Sequence, residues 1–241
     1  MRKLFLAIFY LLLDCPAWGA VGLDGVTTNG ANGEGAVSSS SFAVVTSGSN
    51  RFLAVCVMLE STTQPTTVTA VTYNGVSLTQ LATVLRSGGA DNRVDLWYTS
   101  AEPANGSNTL ALTYSAATDV LVAAFRMNGV DNASPLGTHG TNNGDTGSPS
   151  SINVIGVANG MIVDCFNQAS SQGITPGGSQ TERFDIDVPP GAFEASGSTS
   201  ISTGSIAMTE AWTIDNRFVH IAAPILPFTA RRAIGLPIVF Q

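Results

Sequence analysis

An all-β fold, a two-sheet antiparallel β-sandwich with about twelve strands, is what this sequence predicts. Three observations carry it. Short β-branched and aromatic runs recur along the 241 residues, bounded by Gly, Asn, Ser and Pro. No apolar pattern holds the 3.6-residue helical period over several turns. Charged residues are only 11% of the chain, against roughly 25% in an average soluble protein, with Gly, Ser, Thr and Asn in their place.

The opening stretch, MRKLFLAIFYLLLDCPAWGA, has a basic start, an apolar run from Leu4 to Leu13, the helix breaker Pro16 and then small residues. That is the pattern of a secretory signal, and cleavage after Gly19 puts Ala17 and Gly19 at the small-residue positions. The leader is therefore 1–19. Its apolar run falls short of the roughly 20 residues that span a bilayer, and Asp14 before Cys15 does not make a lipobox.

One sandwich domain, 20–228, is expected next, and an apolar tail, 229–241, after it. Strands are read at 36–45, 52–60, 67–73, 78–85, 93–98, 109–114, 120–127, 151–157, 161–166, 180–185, 205–214 and 218–226. Asn74-Gly75 between two such runs supplies the positive-φ pair of a type I′ hairpin turn. In the run from Arg93 to Tyr98, Val94, Leu96 and Tyr98 alternate with Asp95 and Trp97, and Trp97 reads as packing rather than a ligand platform. Stretches 131–149 and 170–179 lack periodicity and read as rim loops of the sandwich.

The net charge is −7, and removal of Arg2, Lys3 and Asp14 with the leader makes it −8. The mature cations are all arginine and are scattered, apart from Arg231-Arg232. Nucleic acid is thereby excluded as an expected partner. Cys56 and Cys165 each sit in an apolar run. They can pair if their strands are neighbours, but since neither lies in a turn the reading leans to separate buried thiols.

A Ser-His-Asp triad needs a histidine, and only His139 and His220 exist. His220, in an apolar strand, reads as a satisfied core or half-buried histidine, and His139 lies in a Gly/Asn loop. A glycosidase needs two carboxylates facing each other. Glu60, Asp95, Asp119, Asp164, Glu182 and Glu194 are the candidates, and none forms a same-face pair along one strand; Asp185 and Asp187 do, but at a strand end before a double proline. No catalytic residue is assigned and the chain is read as non-enzymatic. Candidate ligand-binding residues lie on the rim loops: His139, Asn142, Asn143, Asp145, Gln172 and Thr175. Asp131, Asn143 and Asp145 are the candidates for a calcium ion, against the simpler reading of an Asx-stabilised turn.

The segments SGSNRFLAVCVMLE, VTAVTYNGVSLTQLA, VDLWYTSAEPANGSNTLALTYSAATDVLVAAFRMNGVDNASPLG, NGMIVDCF and GGSQTERF together resemble a family of β-sandwich modules found in secreted bacterial proteins and in phage genomes. The resemblance runs from about Ser38 to Phe228. It implies a jelly-roll-like sandwich with no known active site, secretion from a bacterial or phage-encoded source, and a role as a surface module or a virion part. Cys56, Cys165 and the tail depart from the family pattern. The expected function is thus a secreted or surface-exposed module that binds a glycan or surface polymer or serves adhesion. The alternatives are a virion or surface-assembly protein that self-associates through 229–241, and a carbohydrate-active enzyme.

Overall fold

The computed structural model describes residues 19–30, 37–61, 66–86, 91–188, 193–214 and 216–229. The leader, apart from Gly19, and the tail beyond Thr229 lie outside them. Every regular element is a strand: β1 (Gly22–Gly30), β2 (Val37–Thr46), β3 (Phe52–Ser61), β4 (Val68–Tyr73), β5 (Val76–Ser77), β6 (Thr79–Arg86), β7 (Asp91–Tyr98), β8 (Gly106–Asn128), β9 (Gly140–Gly144), β10 (Ser150–Gly156), β11 (Met161–Gln168), β12 (Thr175–Pro176), β13 (Thr181–Val188), β14 (Phe193–Ser200), β15 (Gly204–Ala211) and β16 (Phe218–Ile225). All pairings among them are antiparallel.

The sandwich joins an eight-stranded sheet to a five-stranded one, β13-β14-β11-β16-β9. The larger sheet is organised by β8, 23 residues long. Its first half pairs with β2 and β4, its second half with β3 and β1. The expected strands 109–114 and 120–127 are therefore one strand that passes from layer to layer, curling the sheet over its own outer face.

Period-2 alternation sends one face of β3 (Phe52, Ala54, Cys56, Met58) into the main core, where it meets Val163 and Cys165 of β11 and Val219 and Ile221 of β16. The other face (Leu53, Val55, Val57, Leu59) meets Val71, Tyr73, Leu110 and Leu112 inside the curl. That is why β3 is buried along its whole length and reads in the sequence as a continuous apolar run. Trp97 packs against this second cluster, in keeping with its reading as packing.

A third sheet, β10-β15-β12, covers the outer face of the five-stranded sheet. It brings Ile152, Val154 and Met208 onto Ile162 and Ala222. Asn74 and Gly75 take φ of 51° and 75°, the turn that the Asn-Gly pair predicts.

Four expectations are corrected. The described residues hold sixteen strands rather than about twelve. Stretch 131–149 contains β9 and stretch 170–179 contains β12, both recruited to sheet edges by pairing, which needs no apolar period. β1 and β14 were not expected, because GLDGVTTNG and FEASGSTS carry few β-branched residues. Cys56 and Cys165 are joined by a disulfide with a Cα–Cα distance of 6.1 Å. Their strands are not hydrogen-bonded neighbours; they face each other across the main core, an approach that strand order alone does not show.

Candidate functional site

The chemistry-bearing residues collect between the five-stranded sheet and the three-stranded sheet. The register explains how. Phe166 of β11 lies opposite both His220 of β16 and Ser196 of β14, and Ser196 lies opposite Asp185 of β13. One row over, Gln168 lies opposite Glu194, and Glu194 opposite Asp187. Asp164, two residues before Phe166, shares its face. From the covering sheet, Ser150 of β10 and Glu210 of β15, themselves register partners, come down onto this face.

Ser150, His220 and Asp164 form a linear array. The Ser150 hydroxyl and His220 Nδ1 are 3.0 Å apart, and His220 Nε2 and Asp164 Oδ2 are 3.3 Å apart. A neutral ring that donates its Nε2 proton to Asp164 accepts the Ser150 hydroxyl proton at Nδ1. The residue types are those of a hydrolytic triad, but all three side chains are 0% exposed. A nucleophile must reach substrate, and this hydroxyl is sealed between two sheets, where Asn142 Nδ2 also donates to it over 3.1 Å. Asp164 is further held by the backbone N–H of Ser198 at 2.6 Å and the side chain of Gln180 at 3.0 Å. The array ties β9, β10, β11, β14 and β16 together as a polar clamp, and the reading of His220 as a satisfied core histidine agrees with its place.

Two carboxyl pairs flank the clamp. Glu210, 0% exposed, is pushed up to about 11, first by burial and then by the charge and hydrogen bond of Asp164. Burial beside a second acid thus favours the protonated form of Glu210, whose Oε1 accepts from Gln180 Nε2 at 3.3 Å. Glu194 is pushed up to about 8 by burial, by its hydrogen bond and charge interaction with Asp185, and by Asp187. Burial also raises Asp185, whose Oδ2 accepts from the Ile174 N–H at 2.9 Å. These are cross-strand pairs. Sequence reasoning sought acids i and i+2 on a single strand, and so missed Asp185 with Glu194 and never considered Glu210. The parity of each strand was the available signal; the pairing between strands was not.

The rim-loop candidates have separate places. His139 and Thr175 are exposed. Asn142 points its amide at Ser150, Asn143 donates to the Leu85 carbonyl at 3.0 Å, and Asp145 pairs with Arg86. Gln172 accepts from the Ile214 N–H at 2.7 Å and donates to the Ile214 carbonyl at 3.0 Å. Of the calcium candidates, Asp131 accepts from the N–H of Ala133 at 3.1 Å, an Asx turn, while Asn143 and Asp145 have the partners just given. Among the described residues no group of three or more His, Cys, Asp or Glu side chains is placed to hold a metal ion.

A hollow of about 60 Å³ opens between the β4–β5 hairpin and the segment after β7, lined by Tyr73, Asn74, Val76, Leu78, Glu102 and Pro103. Its walls are fixed. Tyr73 donates its hydroxyl to the Val44 carbonyl at 3.0 Å. Arg51 holds the other wall through Glu102 at 3.1 Å and the Pro103 carbonyl at 3.0 Å. Val76 stands at the rim, 66% exposed. No family model, curated protein or solved structure matches this chain.

Proposed function

We propose that this chain is a secreted or surface-exposed, non-enzymatic β-sandwich module that binds a glycan or similar hydroxyl-rich surface polymer. The observation that carries the reading is the division between interior and surface. Acid, base and hydroxyl groups of catalytic type lie sealed between sheets, whereas the open hollow offers a preformed apolar floor with Asn74 and Ser77 at its edge. A sugar ring presents apolar faces and a hydroxyl rim, which such a surface complements. The Cys56–Cys165 bond supports an oxidising compartment. Against a glycosidase, Asp164 and Glu210 are both 0% exposed, while glycoside hydrolysis needs its two carboxyls to flank a bound sugar.

The test is a glycan-array screen of the chain from Ala20 onward, repeated with Val76→Asp. Saturable binding that the variant loses, at an unchanged melting temperature, is the expected result. Binding that Val76→Asp leaves intact places the ligand elsewhere, and no binding by a monomer removes the reading.

A second reading, assembly through 229–241, is favoured by a wider hollow of about 280 Å³ lined by Asp131, Val157, Ala158, Leu226 and Pro227, beside Thr229 where the tail begins. An acid next to apolar residues matches Arg231-Arg232 followed by AIGLPIVF, and the occupant under this reading is the tail of a second copy. Light scattering on a chain cut after Phe228 decides it: loss of an oligomer supports this reading, and unchanged mass sinks it.

A further inference from the structure

We propose that the oxygen patch beneath loop 170–177, built on Asp185 and Glu194 and completed by Gln168 and Ser196, is a binding site for a hard divalent cation of the calcium class. The first argument is placement. Gln168 is directly opposite Glu194, Ser196 is directly opposite Asp185, and all four share the sheet face covered by the loop and β12. Neighbours of this kind have Cβ atoms about 5 Å apart, so their oxygens converge over a few ångströms.

The second argument is independent of the acids. Gln168 Oε1 and Ser196 Oγ have no hydrogen-bond partner, although the two residues are 0% and 1% exposed. Asp185 Oδ1 has no hydrogen-bond partner either. Leaving buried polar atoms unpaired costs about 1–3 kcal/mol each. The Gln168 amide nitrogen is held by the Gln172 carbonyl at 3.3 Å, so Oε1 is the unpaired end of a fixed side chain opposite Glu194. The Trp212 indole N–H, in the adjoining aromatic cluster, is also unpaired, which fits a hydrated site.

Charge is the third argument. The titratable groups that act on the pair are Asp187 on β13, which acts on Glu194, and Glu210 on β15, which interacts with Asp185. The charges acting on Glu194 are Asp185 and Asp187, both negative. Arg51, Arg86, Arg93 and Arg217 form their ion pairs with other carboxylates. Two buried carboxyls that repel one another need either a proton or a cation to relieve them; a proton leaves the amide and hydroxyl oxygens unpaired, and a cation uses all of them. The donors are all oxygen, two carboxylates and two neutral groups, with water completing the six to eight ligands that calcium takes. A set with so few charges belongs with extracellular modules that bind calcium at roughly 0.1–1 mM. This site is separate from Asp131, Asn143 and Asp145.

The test uses the purified chain, stripped with EDTA, at pH 8. Calcium raises the melting temperature saturably, by about 3–8 °C at several millimolar. Terbium added in place of calcium gives emission sensitised by Trp212, whose ring is 5.1 Å from that of Phe166, the residue opposite Ser196; calcium competes it away and Trp212→Phe abolishes it. Asp185→Asn and Glu194→Gln lose both responses, and Asn143→Ala/Asp145→Ala keeps them. The proposal is overturned if the native chain shows neither response, if both acid variants retain them, or if Glu194→Gln raises the melting temperature while calcium does nothing, the signature of a shared proton. Terbium emission from the native chain and from Trp212→Phe decides the matter even where an acid variant does not fold.

Discussion

Removing the imidazole of His220 takes away the link between two buried side chains, the Ser150 hydroxyl at 3.0 Å and the Asp164 carboxylate at 3.3 Å. Because both keep other partners, His220→Leu is expected to lose about 1–3 kcal/mol of stability, read from denaturant midpoints, rather than to abolish folding. The same burial gives a chemical prediction. A fluorophosphonate probe leaves Ser150 unlabelled in the native chain, since its side chain is 0% exposed; labelling there would make the clamp an active centre. Gly129 is held at φ +70°, with the Ala20 carbonyl oxygen 2.4 Å from where a Cβ would sit. Gly129→Ala combines backbone strain of order 1–3 kcal/mol with a clash against backbone, so a melting temperature lowered by at least several degrees is expected. At this scale the sequence marked Cys56, Cys165, Trp97 and His220 as packing or buried residues, which agrees with their places. It did not tell which side chains meet: Asp185 and Glu194 are nine positions apart in the sequence, and only the antiparallel register of β13 with β14 brings them to neighbouring cross-strand pairs, Asp185 with Ser196 and Asp187 with Glu194.

Central strands and edge strands differ in how plainly they read. β3, β11 and β16 are buried on both faces and stand out as apolar runs. β9 and β12 hold their edges with Gly, Asn, Thr and Pro and look like loops. β8 looked like two strands because SAATD interrupts the alternation where the chain passes between layers, a passage visible only once both sets of partners are known. The disulfide fastens β3 to β11 across the core and closes a sequence separation of 109 residues. Cys56→Ala/Cys165→Ala is therefore expected to lose roughly 2–5 kcal/mol, seen as a lower denaturant midpoint at unchanged slope. Native mass falling 2 Da short of the free-thiol value checks that the bond is present.

For the molecule as a whole, burial puts Glu60 at about 7, Glu194 at about 8 and Glu210 at about 11, and raises Asp95, Asp119 and Asp185 as well. Unfolded carboxyls titrate near 4. A folded value above the unfolded one means that stability is fully present below the unfolded value and is lost as pH rises through the folded one. The chain is thus expected to melt at its highest temperature near pH 4–5 and progressively lower towards pH 9 in EDTA; a flat or rising profile would contradict the protonated carboxyl pairs. By itself the sequence determined the all-β class and the polar exterior, and it carried the leader pattern and the Asn-Gly turn, because composition, periodicity and turn chemistry are local properties. Tertiary structure alone decided the curl of the large sheet, the third sheet, the cysteine pairing and the gathering of Ser150, Asp164, Asp185, Glu194, Glu210 and His220 into one layer. Those depend on which strands lie beside or across from which, and the free energy that selects such long-range pairing is shared among many side chains rather than written into any one segment.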